Sequence, residues 1–378
     1  MSAEIEQFHA IAISRIAHRL KAEGRSVIHM EFGQPSTGAP PPAIAAAHDI
    51  LDADAMGYWE SPALKARIAD LYQERYGVAV NAEQVILTCG ASPALVLALA
   101  CVFAPGARVA LARPGYVAYR NTLKALHMEP IELPCGEAER YQITAGALDR
   151  LDRTPEGLIL ASPANPTGTI IPPAELADIA EVCRRRDIRI VSDEIYHGLS
   201  YVGDARSMLE HAPGALVVNS FSKYYSMAGW RLGWLVVPPD LIGAARARMG
   251  NLFLTPPSLS QHAGLIAMDC RDALEGHRDT YARNRTLLLD ALPRMGLRRI
   301  APPDGAFYIY ADISHLTGDS LAFCTDLLQD TGVATAPGID FDPVDGHRFM
   351  RFSFAVATAQ VQDAIARMQP WFAARQPS

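Results

Sequence analysis

The chain has 378 residues, 49% of them hydrophobic and 20% charged, which supplies a substantial buried core and excludes a disordered or fibrous protein. Its 34 basic and 41 acidic side chains give a net charge of −7 with no long run of Lys or Arg. This argues against a general nucleic-acid or anionic-membrane binder and favours small-molecule chemistry. Residues 1–10 carry Glu4, Glu6 and His9 and lack a basic region followed by an apolar block, so no export signal is expected and the cytoplasm is the expected compartment. The proline-rich residues 35–42 read as a crossing from an N-terminal arm into a large domain. Ser61, Pro62 and Gly77 bracket a helix, with an N-cap, a first-turn proline and a C′ glycine in their usual places. Leu64, Ile68, Leu71 and Tyr72 share one of its faces.

Strands are predicted at residues 84–88, 108–112, 128–133, 157–161, 188–192, 215–219 and 232–237, several of them apolar throughout, as in strands buried on both faces. Helical stretches such as 94–103 and 173–186 lie between them. The longest strongly apolar of these, 94–103, falls far short of the ~20 residues that span a membrane. This alternation predicts an α/β fold with a mostly parallel sheet. Beyond it, a long helix at 281–293, strands at 307–311 and 349–354 and a helix at 321–331 predict a smaller α+β unit. The six cysteines (Cys89, Cys101, Cys135, Cys183, Cys270, Cys324) are scattered without metal spacing and read as reduced core thiols, with no metal expected.

Three polar clusters follow predicted strands: Ser162-Pro163-Ala164-Asn165-Pro166-Thr167-Gly168, Asp193-Glu194-Ile195-Tyr196 and Ser220-Phe221-Ser222-Lys223. Ligands of open α/β sheets bind outside the carboxyl ends of the strands, so the three can converge. After strand 84–88, Gly90-Ala91-Ser92-Pro93 opens an apolar helix, with Ser92 expected at the N-cap and Pro93 at the first position, a start able to hold a phosphate. Arg231 can add a bidentate contact. A ligand with a phosphate, a group for a lysine amine to attack and a group for an aspartate to pair describes pyridoxal phosphate. Its aldehyde forms a Schiff base with lysine, its ring nitrogen needs a carboxylate, and its phenolic oxygen accepts from Asn and Tyr.

Ser-Phe-Ser-Lys-x-x-x-Met-x-Gly-Trp-Arg-x-Gly at 220–233, Asn-Pro-Thr-Gly at 165–168, Ser-Asp-Glu-Ile-Tyr at 192–196 and the late Arg351 resemble the class I/II aminotransferases of fold type I, from Gly33-Gln34-Pro35 to Met350-Arg351-Phe352-Ser353. The resemblance implies a homodimer and a large domain over 43–280 with a seven-stranded, mostly parallel sheet. It also implies a small domain formed by both chain ends, 1–42 and 281–378. It implies Lys223 as the Schiff-base lysine, Asp193 on the ring nitrogen, Asn165 and Tyr196 on the phenolic oxygen, and Tyr116 stacked on the ring. Ala91, Ser92, Ser220, Ser222 and Arg231 would hold the phosphate, with Tyr58 from the other subunit. Arg351 would clamp the substrate α-carboxylate, with Gly33 lining that pocket. Pro93 departs from the family pattern and removes one N–H from the phosphate turn.

Taken singly, Lys223 reads as a surface lysine, Asp193 as a helix cap, Asn165 as a turn residue, Tyr58 as a core tyrosine and His197 as a local hydrogen-bonding residue. Their shared position at strand ends favours the cofactor for the first three. The implied activity is transfer of an amino group from an amino acid to a 2-oxo acid. A carbon–sulfur β-lyase or decarboxylase of the same fold stays open, because fold and cofactor motifs do not fix the reaction. Residues 251–261, near where dicarboxylate-specific relatives place an arginine, hold none and offer Phe253 and Leu254. A neutral amino-acid substrate is expected, with Phe8 and Ile11 of the N-terminal arm adding apolar surface and Lys65 or Arg113 of the other subunit as the rival cations.

Overall fold

The computed structural model describes residue 5 and residues 7–376. Met1 to Glu4, Glu6, Pro377 and Ser378, and with them part of the expected leader-free start, lie outside the described residues. Strands β1 (Ile28–His29), β2 (Val85–Thr88), β3 (Arg108–Arg113), β4 (Glu129–Pro134), β5 (Gly157–Ala161) and β6 (Arg189–Asp193) come first in the chain. They are followed by β7 (Leu216–Ser220), β8 (Gly233–Val236), β9 (Tyr308–Asp312), β10 (Val333–Ala334), β11 (Ala336–Pro337) and β12 (Phe349–Ser353). All seven predicted strands of the first unit enter one seven-stranded sheet, in the order β2-β8-β7-β6-β5-β3-β4. It is parallel except for β8, which runs antiparallel to both β2 and β7.

The unbroken apolar runs are explained by burial on both sides. Ile86, Val109, Leu111, Val191, Val218 and Leu235 face one helical layer, while Leu87, Ala110, Leu158, Leu160, Ile190, Val217 and Val236 face the other. Each large side chain so removed from water contributes about 1.5–3 kcal/mol. Register then aligns the functional ends: Ala161 pairs with Asp193, Asp193 with Val218, and Gly233 with both Thr88 and Ser220. Because β8 is antiparallel, its first residue lies where its neighbours end, which brings the preceding Arg231 to the same edge.

Four early helices frame the site: α1 (His9–Ala22), α2 (Pro41–Ala53), α3 (Pro62–Tyr76) and α4 (Ala91–Val102). The signals for α3 act as expected, since the Ser61 hydroxyl accepts from the Leu64 N–H at 3.1 Å and Gly77 closes the helix at φ 68°. Residues 35–42 pass from contact with the second core, where the Ser36 N–H meets the Ala355 carbonyl, to the large-sheet core that holds Ala39 and Ala43, and the last of them open a helix. Pro40 is the N-cap of α2 and Pro41 and Pro42 fill its first turn, where an N–H has no helical acceptor to lose. The long C-terminal helix is Arg271–Ala291, ten residues longer at its start than its apolar repeat predicts.

A second core joins both ends of the chain. Ile13, Ala17 and Leu20 of α1 pack with Met30, Tyr281, Leu288, Tyr308, Leu327 and Phe352. β1 pairs in parallel with β10, and β11-β12-β9 form a small antiparallel sheet in which Arg351 lies beside Tyr310. Among the described residues no helix is long and apolar enough to cross a membrane.

Candidate active site

A cavity of about 440 Å³ opens at the carboxyl edge of the large sheet, between the two cores. Its walls include Gly33, Ala91, Ser92, Tyr116, Asn165, Asp193, Tyr196, Ser222, Lys223, Arg231 and Arg351. Thus eleven of the thirteen residues expected at the site converge on one space. Ser220 does not reach the cavity: it is buried one turn behind, and its hydroxyl accepts the Ser222 N–H at 3.0 Å, shaping the turn that presents Ser222 and Lys223. Tyr58 is also absent from this chain's own cavity wall and stands 83% exposed on the surface.

The helix start differs from its expected form. The N-cap of α4 is Gly90, at φ 93° and ψ 178°, so Ser92 is the second helical residue and Pro93 the third. Glycine wins this position twice over: the backbone is in a region other residues avoid, and a Cβ would meet the Arg231 guanidinium at 2.5 Å. Arg231 itself donates to the Cys89 carbonyl at 3.1 Å and the Ala228 carbonyl at 3.0 Å, which fixes its fork beside that turn. The early N–H groups of α4 lack acceptors within the helix, and with Arg231 and Ser222 they make a cationic, donor-rich corner.

Asp193 lies at the cavity floor with its carboxylate held from two sides. Its Oδ2 accepts the Tyr119 hydroxyl at 2.7 Å and its Oδ1 accepts the Ile195 N–H at 3.1 Å. Burial pushes this carboxyl above its ordinary range, against those hydrogen bonds and the charge of Lys223. A cationic N–H placed against it would favour the charged form. Tyr119, on the helix Val117–Ala125, was not legible as a site residue, because nothing in the sequence links it to Asp193.

Lys223 extends into the same space and its Nζ donates to the Gly33 carbonyl. Burial lowers its amine to about 8, and the nearby Arg351 charge adds to this while Asp193 opposes it. The Gly33 position is closely approached, since a Cβ there would lie 1.7 Å from the Tyr308 hydroxyl. That hydroxyl in turn sits 2.7 Å from the hydroxyl of Tyr196. Tyr308 is a second wall residue without a sequence signal.

Arg351 is 2% exposed and sandwiched, its guanidinium 4.4 Å from the Tyr308 ring centroid and 4.6 Å from that of Phe341. It donates to the Asn165 side-chain oxygen at 2.7 Å and to the Glu31 carbonyl, while its Nε has no hydrogen-bond partner among the described residues. A buried guanidinium whose hydrogen bonds go to neutral acceptors, with the Asp340 carboxylate near enough to feel its charge, is suited to an incoming anion.

Residues 251–261 do not line the cavity. Their helix, Ile242–Leu252, ends there, Phe253 packs against the core beneath the sheet, and Leu254 points outward at 53% exposure. The rival cations are engaged elsewhere in this chain: Lys65 pairs with Glu60 and Glu83, and Arg113 with Asp342 and Asp345. His197 is enclosed between the Tyr76 hydroxyl and the Ser162 carbonyl, with burial pushing its imidazolium down to about 3, so it is a neutral structural link.

Known proteins match this chain over nearly its whole length. Residues 25–368 match the family described as Aminotransferase class I and II. A curated valine–pyruvate aminotransferase of Mycobacterium tuberculosis is 48% identical over 362 residues, 94% of this chain and 93% of the relative. A solved aminotransferase structure from Mycobacterium tuberculosis aligns with a TM-score of 0.96 at 46% identity, covering 98% of this chain and 97% of the other. Aspartate aminotransferase from Thermus thermophilus with maleate aligns at a TM-score of 0.91 and 28% identity, over 97% of each chain. Matches of this extent and identity settle the family: the chain belongs to the class I and II aminotransferases, with their fold type I architecture, and is an enzyme that transfers amino groups.

Proposed function

We propose that this enzyme moves the amino group of a neutral L-amino acid, aliphatic by preference, to a 2-oxo acid with pyridoxal phosphate as cofactor. The observation that carries the substrate class is the cavity's charge. Among the described residues its only cations are Lys223, Arg231 and Arg351, and the wall away from the sheet is made by Phe8, Ile11 and Phe32. A second substrate carboxylate would meet no cation of its own there, and an unpaired buried charge is costly. The name of the 48% identical relative, a valine–pyruvate aminotransferase, supports the same class.

The donor set fits the cofactor. Ala91, Ser92, Ser222 and Arg231 would hold its phosphate, Tyr116 would stack on its ring, Asp193 would pair with its ring nitrogen, and Asn165 and Tyr196 would face its phenolic oxygen. The desolvated Asp193 and the neutral partners of Arg351 are the two features that call for a cation and an anion respectively. When bound, pyridoxal phosphate supplies an aldehyde for an amine and a protonated ring that withdraws electrons from the substrate Cα. Lys223, once its amine is free, is the group placed to take and return the Cα proton. Asp193, held by Tyr119, keeps the proton on the ring nitrogen. Arg351 and Asn165 orient the α-carboxylate, fixing which Cα bond faces Lys223.

This reading also takes residues 43–280 as the cofactor-bearing unit and 1–42 with 281–378 as the smaller one, in a homodimer where Tyr58 reaches the partner's phosphate corner. The exposure of Tyr58 supports that assignment. A fully active monomer in solution would overturn it.

Single-turnover conversion of the bound cofactor to its amine form tests the substrate class. Valine, alanine and methionine are expected to outrun aspartate by about tenfold or more, a transition-state preference of about 1.4 kcal/mol. Aspartate outrunning all three would refute the neutral cavity.

The lowered Lys223 pKa gives a pH expectation for the apoenzyme. Only the neutral amine attacks an aldehyde, so covalent capture of pyridoxal phosphate should accelerate as pH rises through about 8 and then level off. The same group makes apoenzyme stability rise with pH between about 8 and 10.5, because there the unfolded chain still binds the proton that the folded chain has released. Capture rates independent of pH between 6 and 9 (roughly the window that brackets this titration) would refute the assignment.

A further inference from the structure

We propose that Asp340 is a positioning residue for substrate selection: it holds the first turn of α1 closed over the cavity and so determines how well larger apolar side chains are bound. The proposal rests on the reading that Arg351 takes the α-carboxylate, which directs the substrate side chain toward Phe8 and Ile11.

Helix α1 starts without a cap of its own. Its N-cap residue is Phe8, which has no side-chain acceptor, and its first turn contains no acidic residue. The opening N–H groups of a helix need acceptors from somewhere. Asp340 supplies two, its Oδ1 accepting from the His9 N–H at 2.7 Å and its Oδ2 from the Ala10 N–H at 2.8 Å. It reaches them from the short 3-10 turn Gly338–Asp340, more than 300 residues away in sequence, and is 1% exposed.

A local Ser or Asp at position 8 would have been the ordinary solution. Phe8 instead occupies that position, and its ring is part of the cavity wall. The cap has been moved to another segment so that the N-cap side chain can serve the cavity. Asp340 is also followed by Phe341, whose ring lies 4.6 Å from the Arg351 guanidinium and packs in the same cluster as Ala10, Tyr310 and Phe8. Two adjacent residues therefore join the covering turn to the arginine beneath it. The rest of α1 is anchored independently by Ile13, Ala17 and Leu20 in the second core, so loss of the cap loosens the turn bearing Phe8 and Ile11 rather than the whole helix.

Two variants of the holoenzyme test the link from its two ends. His9→Pro removes one of the N–H groups while leaving Asp340 intact. Proline is well tolerated at a first helical position, and Phe8 already has the extended backbone that a following proline requires. Asp340→Asn replaces one of the two acceptor oxygens by a donating amide while preserving shape. In both, the KM for valine should rise about fivefold relative to that for alanine, whose methyl stops short of the wall, with kcat for each changed less than about twofold. For His9→Pro the alanine constants themselves should stay within about twofold. Hydrogen exchange of the amides of residues 10–12 should quicken by a similar factor in both variants, while those of the large sheet are unmoved. Equal KM changes for valine and alanine in both variants, or an unchanged valine-to-alanine ratio despite faster exchange, would overturn the proposal. Failure of the underlying carboxylate assignment would look different: the wild type would then accept amines lacking a carboxylate as well as it accepts amino acids.

Discussion

On the proposed mechanism, Lys223→Ala is expected to slow amino-group transfer by about 10⁴-fold or more, because the change would remove both the group that bonds the cofactor and a general base worth about 10²–10⁴-fold on its own. The cofactor should still bind through the corner made by the α4 start, Ser222 and Arg231. Borohydride treatment followed by peptide mass measurement should fix pyridoxal phosphate to the wild-type chain at Lys223 and leave the variant unmodified. The variant apoenzyme should melt no lower than the wild type near neutral pH. Burial already disfavours the Lys223 ammonium in the folded chain, so its removal takes away a cost. Modification at another lysine would place the covalent attachment elsewhere.

Arg351→Ala should cost about 10³-fold in kcat/KM for amino acids, the range set by leaving a desolvated carboxylate without its cation, about 3–5 kcal/mol. Part of that loss is structural. The Asn165 oxygen and the Glu31 carbonyl lose their donor, and the gap between Tyr308 and Phe341 is left unfilled. Arg351→Lys separates the contributions: it keeps the charge but loses the fork, and should recover only a minor share of the activity. The decisive ratio is between an amino acid and the corresponding amine without a carboxylate. That ratio should collapse in Arg351→Ala, and a ratio equal to the wild type's would move the clamp to another residue.

The large sheet was legible because strands buried on both faces leave an unbroken apolar signature, as in residues 157–161 and 215–219. The convergence of the candidate site was legible for a related reason: Asn165, Asp193 and Lys223 each follow such a run, and the parallel order carries them to one edge. What the sequence hid are partners brought in by tertiary packing. Tyr119 under Asp193, Tyr308 over Gly33 and Asp340 beneath α1 are ordinary residues until the chain is folded. The strands β1 and β10 are two residues each, too short to show a period. The cap at Gly90 was missed because Ser92 and Pro93 make a plausible helix start by type, whereas the backbone sign at residue 90 and the arginine pressed against it decide the matter. At residues 40–42 the crossing was legible but the helix that Pro41 opens was not, since proline suits a chain crossing and a first helical turn equally.

The pairing of β1 with β10, and of α1 with Asp340, has a consequence for how the protein is made. At ribosomal speeds of about 5–20 residues per second, roughly 15–60 s separate the emergence of the first helix from that of the segment it docks on. The seven strands of the large sheet are all complete by residue 236, so that body has its full complement of strands while the opening segment waits. During this interval Ile13, Ala17 and Leu20 form an apolar stripe without its native cover. That stripe therefore stays without its native cover until the segment around residues 333–340 has been made, which makes it a candidate for holding by a chaperone.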